Sequence, residues 1–440
     1  MTAKIFRDPL YNYISIERDT DQWLLDLLDT PEVQRLRRIH QLGVSHFTYP
    51  GADHSRLSHS LGVLHLMQQA VEHLGSSDRQ VGRARDPLLA AALLHDIGHA
   101  PFSHLFEPCL GIDHEAWSCR ILLSDESRVH KILRDVDPDL PKVVAALVDR
   151  ENRDYPCWEK NLLSSQLDVD RLDYLRRDSL FTGAGYGHFD WYRILNTFRL
   201  FGPMGADRDM IWPEKSALAI EEYIFARYYM YWNVYLHKTT RGFEKIMEAI
   251  WRRARAMHEN GDDLNLVDPI NGFWSAEEQS VRQFLALEEF VVLSQVQIWA
   301  RHGDRCLSDL ANRFLNRMRF AAVDAPDTGD ELQVDLTPWE TALLDLVQQH
   351  VEYDPPEMYC LKDKLNSKYA QPYFPERERD EQGVSNAIRV ETKDSSEPIE
   401  ISQVLSRMRP LTKKPPDKFR YYIPKDLEDA AMKLRRDWRQ

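Results

Sequence analysis

The 440 residues predict a mainly α-helical chain with a small mixed α/β lobe at its C-terminal end. Two observations carry that fold class. From Thr30 onward apolar residues recur at helical spacing between recognisable caps. After about residue 350 the texture changes to short alternating or β-branched runs between Pro-, Asp- and Glu-rich turns. We place a helical core at 1–350 and the mixed lobe at 351–440. Hydrophobic residues at 43% and charged residues at 29% are an ordinary balance for a globular chain of this length.

Taken in order, KIFRDPLYNYISIERD within residues 1–20 alternates around a turn and predicts a strand pair. TPEVQRLRRIHQLG predicts a helix, from N-cap Thr30 and first-turn Pro31 to a closing Gly43. SRLSHSLGVLHLMQQAVEHLG, DPLLAAALLHDIGH, DHEAWSCRILL and PKVVAALVDR read as further helices. SSQLDVDRLDYLRRDSLFTGAGYG reads as a helix ended by a glycine-rich turn. The stretch from Ser216 to Gly261 reads as one long aromatic helix. Residues 275–350 are helical again, with turns near Gly303 and Asp327–Asp330. In the lobe, EMYCLKDKL, NAIRVETK, IEISQVL and KFRYYIPK supply strand-like pieces. The charged PERERDEQG (375–383) reads as a solvated loop.

Composition excludes several classes. No apolar run approaches the ~20 residues that span a bilayer, and MTAKIFRDPLYNY has no secretory character, so a cytoplasmic protein without a membrane partner is expected. Five widely spaced cysteines without a C-x-x-C predict reduced thiols rather than a zinc–cysteine cluster. A net charge of −14 speaks against a surface built for polyanions. Residues 405–440 depart from it, with 11 Lys/Arg against 5 Asp/Glu; they read as a solvated amphipathic helix or a phosphate- or partner-contacting tail.

Chemistry concentrates in ALLHDIGHAPFSH (92–104), where His95, Asp96, His99 and His104 follow a run made for burial. Buried imidazole and carboxylate need partners, so these groups either satisfy one another or hold something. His95 and His99 are four apart, which predicts one helix face, and Pro101 gives His104 a new direction. His59 lies in SRLSHSLG. Asp170, Tyr174 and Asp178 form a stripe at four-residue spacing that is either a wet surface or the wall of a site. Two imidazoles and two carboxylates make a mixed N/O set for Fe, Mn, Zn or Mg, whereas H-E-x-x-H is absent.

The order His59, His95-Asp96, Asp170 is the H…HD…D pattern of the HD-domain phosphohydrolases. FRDPLYNYISI, TPEVQRLRRIHQLGVSHFTYPGADHSRLSHSLGV, LLHDIGHAPFSHLFE, DHEAWS, LDVDRLDYLRRD and YLHK resemble successive blocks of the deoxynucleoside triphosphate triphosphohydrolases. That family holds the vertebrate antiviral enzyme with sterile-alpha-motif and HD domains and its bacterial homologues; no stretch here resembles the sterile-alpha-motif module. The motifs fall within 30–240, and the lobe after 350 resembles the family's C-terminal lobe.

The resemblance implies an HD-domain helical core and hydrolysis of a deoxynucleoside triphosphate (dNTP) to deoxynucleoside and inorganic triphosphate. It makes His59, His95, Asp96 and Asp170 the ligands of one divalent transition metal (Fe, Mn or Zn), with Mg2+ on the nucleotide phosphates as a second ion. It makes His99, His104 and His114 the histidines around the triphosphate, with Glu107, in place of the family's aspartate, orienting one of them. Arg56, Arg171 and Arg227 become phosphate contacts, Arg171 standing where a lysine is expected. Gln41, Leu42, Tyr174, Asp178 and Tyr235 become the sugar contacts, with Tyr235 excluding a 2′-hydroxyl.

The same resemblance implies an activating nucleotide, GTP or a dNTP, at Lys4, Ile5, Asp29, Gln34 and Arg37, with Arg193, Lys215, His237 and Lys238 in a second allosteric site. Asn233 and Ala321 depart from the arginine and lysine expected there. Sites of that kind lie between subunits, which implies a homo-oligomer, most simply a tetramer. The roles this implies are control of dNTP pools or their depletion in antiphage defence. A nuclease or phosphodiesterase of the same superfamily, with nucleic acid as a secondary partner class, is the alternative.

Overall fold

The computed structural model describes residues 3–75, 78, 81–150, 152, 157–203, 208–326, 336–365, 371–375, 387–413 and 418–438. It is mainly helical, and its buried apolar side chains form one connected core running from Ile16 to Ala431. The chain opens with the expected strand pair, β1 (Ala3–Asp8) against β2 (Asn12–Glu17), and the inward-facing Ile14 and Ile16 of β2 are fully buried. Helices α1 (Arg18–Leu28) and α2 (Pro31–Arg35) follow, the second capped by Thr30, whose hydroxyl accepts from the Val33 amide.

Helix α2 is shorter than the sequence predicts. A 3-10 turn continues it to Arg38, and Ile39 is extended. The chain needs that break, because Ile39 C=O accepts from the Arg56 amide (2.9 Å) and His40 bridges to Ser55. Gly43 therefore turns a loop (φ +51°) instead of closing a helix.

Helix α3 (Arg56–Gly75) packs along α4 (Val81–Leu94), whose residues Ala90 to Leu94 are all fully buried. A helix apolar on every side belongs at the centre, and α4 also contacts α8 (Leu140–Val148) and α9 (Cys157–Leu163). Between them run α5 (Phe106–Leu110), α6 (His114–Leu123) and α7 (Arg128–Val136). Helix α10 (Val169–Thr182), N-capped by Asp168 and C-capped by Gly183 at φ +70°, crosses α3.

Helix α11 (Trp191–Thr197) leads into β3 (Arg199–Phe201) and β4 (Asp209–Pro213). The single long aromatic helix expected next is two helices. Helix α12 (Ala217–Met230) runs into a π-turn at Tyr231–Tyr235, where the Leu236 amide bonds five residues back to Tyr231 C=O (2.8 Å). His237 then caps α13 (Lys238–Glu259) by accepting from the Thr239 amide (3.2 Å). Such a one-turn bulge re-aims the side chains after it, here Tyr235.

Helices α14 (Asp268–Ser275), α15 (Val281–Leu285), α16 (Glu289–Trp299) and α17 (Arg305–Leu315) complete the helical part. A strand the sequence did not suggest, β5 (Ala321–Asp324), precedes α18 (Thr337–Gln348). The expected turn at Asp327–Asp330 and most of 375–383 lie outside the described residues. After 350 come β6 (Leu361–Leu365), β7 (Arg389–Glu391), β8 (Ile399–Glu400) and β9 (Lys418–Ile423). IEISQVL is mostly a helical turn, Ile401–Val404. These strands complete sheets begun earlier: β7 pairs with β4, and β9 pairs with β5. The basic tail holds a helix, Glu428–Asp437.

Candidate active site

Three elements converge on one buried point. The first turn of α3 supplies Arg56 and His59, and α10 supplies Asp170. His95 and Asp96 come from a turn, because α4 ends at Leu94. That corrects the expected shared helix face, and it explains how neighbours in sequence reach one place. On a helix they diverge by about 100°, whereas in this turn both face inward.

His59 Nε2 lies 3.0 Å from Asp170 Oδ1 and 3.8 Å from Asp96 Oδ2. His95 Nε2 lies 3.3 Å from Asp96 Oδ1 and 3.8 Å from Asp170 Oδ1. The outer nitrogens are tied. His59 Nδ1 is 2.8 Å from Asp173 Oδ2, and His95 Nδ1 is 3.0 Å from Ala92 C=O. Bonds of that kind fix the tautomer that turns the Nε2 lone pair inward. His95 Nε2 is buried and makes no hydrogen bond.

Charge leads the same way. Burial works against a proton on His59, yet its bonds to Asp170 and Asp173 push it up to about 10. Burial would raise Asp96, and Arg56 with His95 and His99 holds it well below the usual carboxylate range. A concentration of carboxylates that binds a proton this firmly is a place where a cation displaces it. His59, His95 and Asp96 bring one donor each to within 4.8 Å of one another. Two imidazoles, two carboxylates and an orphaned inward nitrogen fit a divalent metal.

A second cluster adjoins the first. His99 Nε2 is 3.3 Å from Asp96 Oδ1. Glu107 Oε1 lies 3.0 Å from His104 Nδ1 and 3.8 Å from His99 Nδ1. It is also 2.6 Å from His114 Nδ1, at an angle that makes no hydrogen bond. His99 and His114 stack at 4.0 Å and 12°. Burial, then Arg56 and His114, push His99 well below the usual histidine range, so this imidazole is neutral. Burial would raise Glu107, but its bond to His104 and the close imidazole of His114 hold it far below the ordinary range. His104 is two-thirds exposed, which leaves its Nε2 free to meet a ligand.

A chain of aromatic contacts leads away from the first cluster. Tyr174 stands edge-on to His59 (6.4 Å) and to Tyr235 (6.3 Å). Tyr235 Oη donates to Asp178 Oδ2 (2.8 Å), and His54 Nε2 lies 2.7 Å from Asp178 Oδ1. The polar stripe of α10 is thus turned inward, with Asp178 buried and Asp170 and Tyr174 half-buried. Gln41 N bonds His54 C=O (3.0 Å), the Gln41 Oε1 is buried without a partner, and Leu42 is half-buried beside it. Arg56 donates to Asp96 (2.6 Å) and to Ser103 Oγ (2.7 Å). Arg171 Nε bonds Ser165 C=O and Asp168, and Arg227 Cζ lies 5.4 Å from the Tyr231 ring with its buried Nε unpaired.

The residues of the expected nucleotide sites are local pairs. Lys4, Ile5, Asp29 and Arg37 are exposed. Gln34 donates to Leu28 C=O and accepts from Arg37 Nε, both at 2.7 Å. Arg193 reaches Lys215 C=O (3.4 Å), while His237 caps α13 one residue before Lys238.

Sequence reasoning missed three residues. Asp173 orients His59 and receives both Nε (2.8 Å) and Nη2 (3.0 Å) of the buried Arg177. Its place three residues after Asp170 on α10 was the available signal. His54 bonds Asp178 from 124 residues away, and Glu289 accepts from the His40 and Phe102 amides. Neither carried a local signal.

Residues 56–178 match the HD domain family, and the matched span begins at Arg56 and ends at Asp178. The chain is 39% identical to the protein YwfO of Bacillus subtilis over 324 residues, 73% of this chain and 72% of that one. It is 24% identical to the deoxynucleoside triphosphate triphosphohydrolase SAMHD1 of Gallus gallus, covering 93% of this chain and 70% of that protein. A phosphohydrolase crystal structure from Bacteroides thetaiotaomicron superposes with a TM-score of 0.76 at 27% identity, over 96% of this chain and 99% of that one. The chain belongs to the HD-domain phosphohydrolases. Among the described residues, no helix is long and apolar enough to cross a membrane.

Proposed function

We propose that the chain hydrolyses deoxynucleoside triphosphates to deoxynucleoside and inorganic triphosphate. The observation that carries this reading is the continuous wall from the His59–His95–Asp96–Asp170 cluster through Tyr174 to the Tyr235–Asp178–His54 lock. It supports a ligand with phosphates at one end and a sugar at the other. The kinship with the avian triphosphohydrolase supports the same substrate class.

His59, His95, Asp96 and Asp170 would hold one divalent metal, which when bound polarises a phosphate oxygen and lowers the pKa of water. Arg56, Arg171 and Arg227 neutralise charge on the phosphate chain. Water adds to the α-phosphorus, the bond from that phosphorus to O5′ breaks, and the triphosphate leaves intact. His104, with Glu107 holding its Nδ1, delivers a proton to O5′ from Nε2, while His99 and His114 frame the phosphates. The Tyr235 ring, fixed by Asp178, fills the space a 2′-hydroxyl needs, and Gln41 with Asp178 meets the 3′-hydroxyl.

We assign Lys4, Ile5, Asp29, Gln34, Arg37, Arg193, Lys215, His237 and Lys238 to activating nucleotides bound between subunits. The test is incubation of the purified protein and Mn2+ with each dNTP singly, with all four together and with added GTP, followed by ion-exchange chromatography. Deoxynucleoside and triphosphate are expected, released faster from the mixture or with GTP. Monophosphate or diphosphate as product overturns the reading.

A further inference from the structure

A third group of ligating side chains lies outside the pocket. His40, His46 and Asp53 each bring one donor atom to within 4.8 Å of the others, on the segment that joins the Leu36–Arg38 turn to α3. We propose that these residues form a second divalent-cation site, suited to zinc or a similar borderline ion, that braces the segment 39–56.

The first support is the tautomer of His40. Its Nδ1 bonds Glu289 Oε2, while Glu289 Oε1 accepts from the amides of His40 (2.7 Å) and Phe102 (3.0 Å). Glu289 is 3% exposed, so this carboxylate is fixed. With Nδ1 committed, Nε2 faces Asp53 Oδ1 at 3.8 Å. A buried carboxylate behind an imidazole whose other nitrogen is free is the arrangement that holds metal-ligating histidines.

The second support is His46. Its Nδ1 is buried and makes no hydrogen bond of good geometry, only a weak contact with the Gly43 backbone. A nitrogen in that position needs a partner. The third is spacing. The His40 and His46 ring centroids are 5.3 Å apart, as are those of His59 and His95. Two imidazoles at tetrahedral angles around an ion, at about 2.1 Å per bond, put their centroids roughly 5 Å apart. Asp53 is 66% exposed, which gives the ion a path in and the carboxylate freedom to close on it.

The site is wired to the pocket. His40 C=O accepts from Ser103 Oγ (2.8 Å), Ser103 Oγ accepts from Arg56 Nε (2.7 Å), and Arg56 donates to Asp96. An ion on His40, His46 and Asp53 therefore stiffens the backbone that carries Gln41 and Arg56.

Zinc alone is the probe. Wild-type protein, Asp170→Ala, Asp53→Asn and the double variant are stripped with chelator, dialysed against Zn2+ and analysed for bound metal. Two ions are expected in the wild type, one in each single variant and none in the double variant. Asp53 is exposed, so Asp53→Asn tests the site without threatening the fold. An Asp53→Asn protein that holds as much zinc as wild type overturns the proposal. Retention of two ions by Asp170→Ala, with loss of one by Asp53→Asn, sinks the first site and leaves this one standing. Cobalt(II) loaded into Asp170→Ala should give a spectrum free of thiolate charge transfer that His46→Ala abolishes. Strong near-ultraviolet thiolate absorption would assign the ion to a cysteine and overturn the site.

Discussion

Two knots of histidine and carboxylate lie side by side in this chain, built from the same residue types, and they differ in what holds Nδ1. In the knot of His59, His95, Asp96 and Asp170, the imidazole Nδ1 atoms are tied outward to Asp173 and to the Ala92 carbonyl, and both Nε2 atoms face the carboxylates. In the knot of His99, His104 and His114, one oxygen of Glu107 gathers the Nδ1 atoms. The first arrangement concentrates lone pairs and negative charge on a point. The second sets a carboxylate behind three imidazoles, of which exposed His104 leaves its Nε2 open to a ligand while His99 Nε2 faces Asp96. The two knots are thus distinguished by their second partners, with Asp96 touching both.

The largest expected effect breaks the first knot. Asp170→Ala should abolish stoichiometric metal binding and lower turnover by about 10³ or more, since the loss removes the polarising ion. The fold should stay cooperative, because Asp170 contributes nothing to the apolar face of α10 formed by Leu172 and Leu175. Metal analysis beside a thermal melt checks both. Retained metal with retained turnover would take Asp170 out of the site.

Breaking the second knot should cost less. Glu107→Gln should lower kcat by about 10²-fold, within the range general acid catalysis supplies, and leave metal content unchanged. A pH dependence of stability accompanies it. The Glu107 carboxyl is depressed in the folded chain, so its pairing stabilises above the ordinary glutamate value of about 4.3 and is lost as pH falls through the folded value. Wild type should lose stability in acid faster than Glu107→Gln, as thermal melts between pH 7 and 3 would show. Parallel acid profiles would separate Glu107 from the histidines.

The two knots were not equally legible. His59, His95, Asp96 and Asp170 stand out because their order along the chain is itself a signature, and the cap Thr30 marked a helix start from local chemistry. The turn at His95–Gly98 was read as helix because alanine and leucine continue the period up to its last residue. The π-turn at Tyr231–Tyr235 was invisible for a related reason: an aromatic run satisfies helical spacing whether or not one residue is inserted. Asp173, His54 and Glu289 went unread since their partners lie 114, 124 and 249 residues away. Strand β5 pairs with β9 about a hundred residues later, and four residues carry too little alternation to announce it.

Asp173 offers a finer cut, since it serves the first knot from behind. Asp173→Asn leaves His59 with a weaker acceptor and should reduce metal affinity by about 10- to 100-fold, the usual range for such outer partners. It also removes one of two carboxylates from buried Arg177, leaving Asp8 at 2.7 Å, so stability should fall by about 3 kcal/mol. Metal titration and denaturant melts read the two effects apart. Unchanged metal affinity with reduced stability would restrict Asp173 to the Arg177 pair.

The smallest effect lies at the far end of the wall, where neither knot reaches. Tyr235→Phe keeps the ring but removes the bond to Asp178 Oδ2. The ring is then free to yield, while Asp178 keeps His54 at 2.7 Å. If Tyr235 excludes a 2′-hydroxyl by position, the preference for deoxy- over ribonucleoside triphosphate should fall by about 10-fold in kcat/KM, with metal content untouched. Tyr235→Ala, which opens the space outright, should erase more of the preference than Tyr235→Phe. A preference unchanged in both variants would mean that the sugar is read elsewhere, and Gln41, with its buried and unpaired Oε1, is where to look next.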